Sequence, residues 1–244
     1  MEFSIDYIRS IQGAKGLTNI KQVVAEEAKS RLRSDMLTSI NCQYDSQRNG
    51  VAQKFVVAAT DLDHCKNIVA FPGESLDIGD IIDSFGYKWI VTDVSYDNTV
   101  QLSGKMYQCN LVLKFQVGTG TTIYSRNCYF DKGVFSTKTK ETQTMQVGDL
   151  QYNLLLPYDT YTRTLQRDKR LATEVLYLPN GTQSLRCFKV SSSDSVGSSF
   201  GTGKILTLGL REDEYASQKD SIANVVCDYI ASTPVADPVG GGWV

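Results

Sequence analysis

A mainly β fold, two β-sandwich or β-barrel-like domains behind a short N-terminal amphipathic helix, is the class this sequence predicts. Three observations carry that reading. From about Gln53 onward, apolar residues recur with a period of two in short runs rich in β-branched and aromatic side chains. Most of these runs are bounded by Gly, Pro, Asn or Asp, the residues of turns. The best stretch with helical spacing lies ahead of all of them.

Taken in order, residues 1–45 form an arm and a helix. Gly13-Ala14-Lys15-Gly16 marks a flexible lead, and Thr18 or Asn19 can cap a helix over 18–37. Within it Ile20, Val23, Val24, Ala28, Leu32 and Met36 recur at three- and four-residue spacing, and Lys21, Glu26, Glu27, Lys29, Arg31 and Arg33 fall on the other face. A first β domain is expected over 46–146, with strands at Lys54–Ala58, Asn67–Phe71, Lys88–Val94, Thr99–Leu102, Tyr107–Gln116 and Thr121–Phe130. Ser84-Phe85-Gly86 and Asp97-Asn98 read as turns, and Gly104 inside a strand-like stretch as a bulge. A second β domain is expected over 147–232, with strands at Leu150–Pro157, Leu171–Leu178, Leu185–Ser191 and Lys204–Leu210. The Ser/Gly-rich stretch 191–203 reads as a mobile loop, and 233–244 as a flexible tail without periodicity that ends on Trp243.

With 41% hydrophobic and 21% charged residues the chain has the composition of a folded protein and lies outside the regime of disorder. No uninterrupted apolar run approaches the roughly 18 to 20 residues of a membrane span. The opening Met1-Glu2-Phe3-Ser4-Ile5-Asp6 lacks the basic and apolar regions of a secretory signal, so a cytoplasmic site of synthesis is expected. A net charge of −2 gives no overall attraction to nucleic acid. The charge is uneven, though. From Arg211 onward two basic residues face six acidic ones, while Arg163, Arg167, Lys169 and Arg170 surround the single acid Asp168. The six cysteines, at 42, 65, 109, 128, 187 and 227, form no C-x-x-C pair, which leaves a zinc ribbon or a thioredoxin-like motif without support and favours free buried thiols.

No arrangement suited to catalysis, metal binding or a cofactor emerges. His64, the one histidine, has Asp61, Asp63 and Cys65 beside it, but neighbours within one short loop do not easily converge on a common centre, and a loop histidine is the simpler reading. Gly197 to Gly203 leaves five intervening residues where a phosphate loop needs four, and Ile205 stands where Ser or Thr must reach magnesium. Glu212-Asp213-Glu214 reads as a solvated turn rather than an acid/base pair. The candidate contact residues are therefore Arg163, Arg167, Lys169 and Arg170, suited to phosphates or to ion pairs at a subunit seam, together with Phe200 and Trp243, whose large apolar side chains gain from burial against a neighbour.

The run Gly79-Asp80-Ile81-Ile82, then Trp89-Ile90-Val91-Thr92-Asp93-Val94, then Gly104-Lys105-Met106-Tyr107-Gln108-Cys109-Asn110-Leu111-Val112-Leu113-Lys114-Phe115-Gln116 resembles a segment of tailed-phage virion proteins of the head-tail connector or head-completion type. In these, G-D-x-I, W-x-[VI]-T-x-V and G-x-[MI]-x-x-C-N-x-x-[LI]-K-[FW]-Q follow one another. The resemblance continues through Tyr152–Leu156, Thr160, Thr164, Arg167–Leu171 and Gly203–Leu208. It implies a non-enzymatic, ring-forming structural protein of the virion that links portal to tail and helps retain DNA. Its partners would be further copies of itself, portal or adaptor proteins, and tail or tail-terminator proteins, with room for non-specific contact with genomic DNA in the channel and no membrane. A tail-tube or baseplate adaptor would use the same domains. A carbohydrate- or receptor-binding module would need an aromatic platform, for which Tyr152, Tyr158 and Tyr161 are the candidates.

Overall fold

A computed structural model describes residues 20–96, 101–133, 151–197, 199–200 and 203–231. The expectations for the arm at 1–16, the turn at Asp97-Asn98 and the tail with Trp243 fall outside these residues. The chain divides into two compact units. The first comprises Met1–Cys109, Leu156–Tyr158 and Ser195–Ile205, the second Asn110–Leu155, Asp159–Asp194 and Leu206–Val244.

The first unit opens on helix α1 (Ile20–Thr38). Its buried stripe is narrower than the spacing predicts. Val23 and Met36 are buried and Leu32 half-buried, whereas Val24 and Ala28 are exposed. Met36 packs with Cys42 and Phe71, with Leu32 against them, so the C-terminal end of the helix is held by an apolar cluster.

Eight strands follow, in the order β1-β4-β5-β8-β7-β6-β2-β3 across one open sheet that curves into a half-barrel. They are β1 (Cys42–Gln43), β2 (Gln47–Arg48), β3 (Val51–Ala52), β4 (Phe55–Ala59), β5 (Cys65–Ala70), β6 (Ile81–Ser84), β7 (Tyr87–Ser95) and β8 (Ser103–Gln108). The edge strands β1 and β3 are two residues each, short enough to offer little unpaired backbone to another chain. Phe55, Ile68, Ile82 and Met106 have no accessible surface and form the core with Trp89, which is 2% exposed. The Trp89 indole donates to the Ser84 carbonyl at 3.0 Å, which satisfies its one polar atom inside the core. The β6–β7 connection is a two-residue turn with positive φ at Phe85 (58°) and Gly86 (76°), as a type I′ hairpin requires. The pairing of β7 with β8 slips between Val91 and Asp93, so the extra residue lies on β7, opposite the stretch that contains Gly104.

Two glycines set how closely the backbone of this unit can approach itself. A Cβ on Gly79, whose φ is +89°, would stand 2.2 Å from the Lys204 carbonyl oxygen, and one on Gly203 would stand 2.1 Å from that of Ile78. Asp80 next to Gly79 is buried and accepts from the Asp77 N–H (2.7 Å), Arg48 Nε (2.5 Å) and Asn49 Nδ2 (2.7 Å). The Gly79-Asp80 pair thus tolerates a backbone crossing and ties Arg48-Asn49 to the turn at Asp77 through one carboxylate.

The second unit is a closed six-stranded antiparallel barrel, β11-β10-β9-β12-β13-β15, with β15 returning to β11. Its strands are β9 (Leu111–Gln116), β10 (Ile123–Gly133), β11 (Gln151–Pro157), β12 (Arg170–Tyr177), β13 (Gln183–Asp194) and β15 (Gly203–Asp213); the end of β11, the start of β15 and the short β14 (Ser199–Phe200) paired to it belong to the first unit. Closure removes free edges. Leu113, Leu154, Phe188, Leu208 and Leu210 are fully buried inside it. Tyr152 stacks on Phe130 at 5.3 Å between ring centres and meets the edge of Phe188 at 5.0 Å.

Several expectations change here. The run Tyr107–Gln116 is two strands, broken at Cys109-Asn110, and the division between units falls there rather than at 146/147. The apolar period is unbroken across the break, so periodicity alone cannot see it. The Ser/Gly-rich stretch 191–203 is largely strand where it is described, since Ser192, Ser193 and Asp194 pair with Gly209, Leu208 and Thr207. Ladder hydrogen bonds to a partner strand override a composition that reads as loop.

Candidate functional site

Of the predicted contact residues, Arg163 lies in a 3-10 turn (Thr162–Thr164) after β11, and its side chain and that of Arg167 are exposed. Lys169 is half-buried. Asp168, at φ 74°, pairs with Lys189 Nζ at 3.0 Å. Phe200 is the last residue of β14 and its backbone pairs with Gly203. Trp243 lies outside the described residues. The basic cluster is therefore divided, because Arg170 takes part in an internal network.

Arg170, the first residue of β12, is surrounded by carboxylates at the end of β15 and in the segment after it. Its Nε lies 2.6 Å from Asp213 Oδ2 and its Nη1 lies 2.8 Å from Asp220 Oδ1 and 3.0 Å from Asp228 Oδ1. Nη2 donates to Asp220 Oδ2 (3.0 Å) and to the Glu214 carbonyl (2.5 Å). Asp220, buried at 8% exposure, also accepts from the N–H groups of Ala216 (2.7 Å) and Asp228 (3.0 Å). Burial alone would raise its pKa, but the Arg170 guanidinium and the two amides outweigh it and hold the carboxyl below its ordinary range. Burial likewise disfavours the charged guanidinium, and the hydrogen bonds it donates to Asp220, Asp213 and Asp228 more than reverse that. The acidic excess after Arg211 and the basic excess before Leu171 are, in part, the two sides of this one cluster.

Behind the carboxylates lies a pair of cysteines. Cys187 on β13 and Cys227 in the segment after β15 are each 2% exposed, and the Cys227 thiol lies 3.3 Å from Cys187 Sγ. Cys187 Sγ in turn lies 3.8 Å from Asp220 Oδ2. Ala172, Leu185, Val175, Tyr215, Ile222 and Val225 pack around the pair. Forty residues separate the two cysteines in the chain, so spacing gave no sign of them. An open cavity of about 520 Å³ adjoins the cluster, lined by Arg170, Asp213, Glu214–Lys219 and Asp228.

The other candidates do not converge. His64 is exposed and its ring lies 6.1 Å from that of Tyr107, while Cys65 points into the core of β5. Glu212 and Asp213 belong to β15 rather than to a turn, and they pair with Arg186 (2.8 Å) and Arg170. Tyr152 is buried in the barrel, which removes it from any exposed aromatic platform. No helix among the described residues is long and apolar enough to cross a membrane.

Comparison with family profiles, with curated proteins and with solved structures gives no match.

Proposed function

We propose that the chain is a structural protein of a tailed-phage virion, a head-tail connector or head-completion component that forms a ring with copies of itself between portal and tail. It is made in the host cytoplasm and helps retain DNA once assembled. The observation that carries this reading is the ordered run of motifs from Gly79 to Gln116, together with what its residues do. Gly79 permits a backbone crossing, Asp80 ties Arg48-Asn49 to its own turn, and Trp89 and Phe115 fill cores. A ring needs a rigid framework and repeated heterologous contacts around an axis. Apolar side chains suited to such contacts stand exposed on the barrel at Val112, Leu176 and Tyr177, with Arg163 and Arg167 as the exposed basic pair. A tail-tube or baseplate adaptor would share this framework and differ in its position along the particle.

Peptide mapping of purified virions of the phage that encodes the chain, followed by immunogold labelling, tests the proposal. The protein is expected in stoichiometric amount with label at the neck. Its absence from virions, or label at the distal end of the tail, would contradict the assignment.

A further inference from the structure

We infer that Cys187 and Cys227 are a dithiol built to close into a disulfide, which would fasten the segment after β15 to barrel strand β13. The two sulfurs are 3.3 Å apart and turned to each other, so a bond of about 2.0 Å requires an approach of only about 1.3 Å. One partner sits on a strand paired on both sides, with β12 and with β15. The other sits in a segment without a strand ladder, which has one isolated bridge, Ser221 to Val226, and is tied by Asp220 and Asp228 to Arg170 and by Gln116, which exchanges two hydrogen bonds with the backbone of Ile230. Val225 and Asp228, on either side of Cys227, take φ values of 56° and 49°, unfavourable above all for the β-branched valine. A locally strained segment outside the barrel's ladder gains from a covalent tie to it.

A metal is the competing use for Cys187, Asp220 and Cys227, whose ligand atoms lie within 4.8 Å of one another. The geometry argues against it. Both Asp220 oxygens are engaged by a guanidinium and by amides. The Arg170 charge beside the carboxylate also opposes a cation.

The oxidation is a two-electron step, and a hydroperoxide supplies the acceptor. Cys187, whose sulfur receives the hydrogen bond of the Cys227 thiol, is favoured as thiolate, while the same bond pushes Cys227 up. The Cys187 thiolate attacks one peroxide oxygen, the O–O bond breaks, and a sulfenic acid and hydroxide or alkoxide form. The Cys227 sulfur then attacks the sulfenic sulfur, a disulfide forms, and water leaves with the Cys227 proton. In sum two thiols and one hydrogen peroxide give one disulfide and two waters. The open cavity is lined by Arg170 and Asp228, and Asp220, which bonds both, lies 3.8 Å from Cys187 Sγ.

The test is to treat the reduced full-length chain with hydrogen peroxide, map the linked peptides, count thiols after denaturation and record melting curves. The expected result is loss of two of the six thiols, a peptide joining Cys187 to Cys227, and a thermal midpoint raised by about 10 °C, the stabilisation that closing a loop of this length implies. Cys187→Ala and Cys227→Ala should each abolish that peptide and the rise. Six thiols remaining after oxidation, a different pairing, or an unchanged midpoint on correct pairing would each overturn the inference. So would stoichiometric zinc in the untreated protein. The wild-type peptide map and metal analysis decide the matter even if a variant fails to fold.

Discussion

Trp89 has its ring in the core of the first unit and its indole N–H on the Ser84 carbonyl, so Trp89→Ala removes both a large apolar volume and a satisfied donor. The expected cost is about 3 to 5 kcal/mol, read as a shift in chemical denaturation. Gly79→Ala should cost about 2 to 3 kcal/mol for a different reason, since its Cβ meets a carbonyl oxygen at 2.2 Å from a left-handed backbone. Asp220 makes a pH-dependent contribution. Its folded pKa is depressed, so its stabilisation is fully present above the unfolded value of about 3.9 and is lost as pH falls through the folded value. Asp220→Asn should therefore cost about 3 kcal/mol at neutral pH, and the gap from the parent should close as acid is added. A constant gap down to low pH would mean that the charge of Asp220 contributes nothing. Trp89 lies in the expected strand Lys88–Val94, though alternation alone does not single it out, since Trp89, Ile90 and Val91 are all buried. Asp220 was not legible, because its value comes from Arg170, fifty residues away in the chain.

The segment after β15 is the element whose role the sequence hid most. Read by composition, 211–232 is an acidic stretch after the last clear strand. In the fold it supplies Asp220 and Asp228 to Arg170, and Cys227, Ile222 and Val225 to the apolar cluster on β12 and β13. Removing 214–244 should lower the thermal midpoint by more than about 8 °C. Removing 233–244 alone takes away none of these contacts and should leave it nearly unchanged. Strand existence was read well from alternation in β4, β5, β7, β10, β12 and β15, which all lie within a few residues of their expected places. The two-residue strands β1, β2 and β3 were missed, because two residues carry no period. The continuation of β13 through Ser191–Asp194 was missed because pairing with β15, not side-chain preference, holds it.

At the scale of the whole molecule the β class and the presence of two units were legible, and the boundary between them was not. The chain leaves the first unit at Cys109 and returns to it at 156–158 and 195–205. A linear reading that looks for one break in composition cannot find an interleaved division. The candidate contact residues were legible as residue types only. The sequence placed four basic side chains together, and folding turned Arg170 towards carboxylates and left Arg163 and Arg167 exposed. We propose that this framework is repeated as a ring in a phage neck. An electron cryo-microscopy reconstruction of the neck of virions from the phage that encodes the chain tests this most directly. Such a ring requires density between portal and tail in which the eight-stranded sheet and the six-stranded barrel each fit as copies related by rotation around the DNA channel. A neck fully explained by other proteins, or these two folds found only elsewhere in the particle, would contradict it.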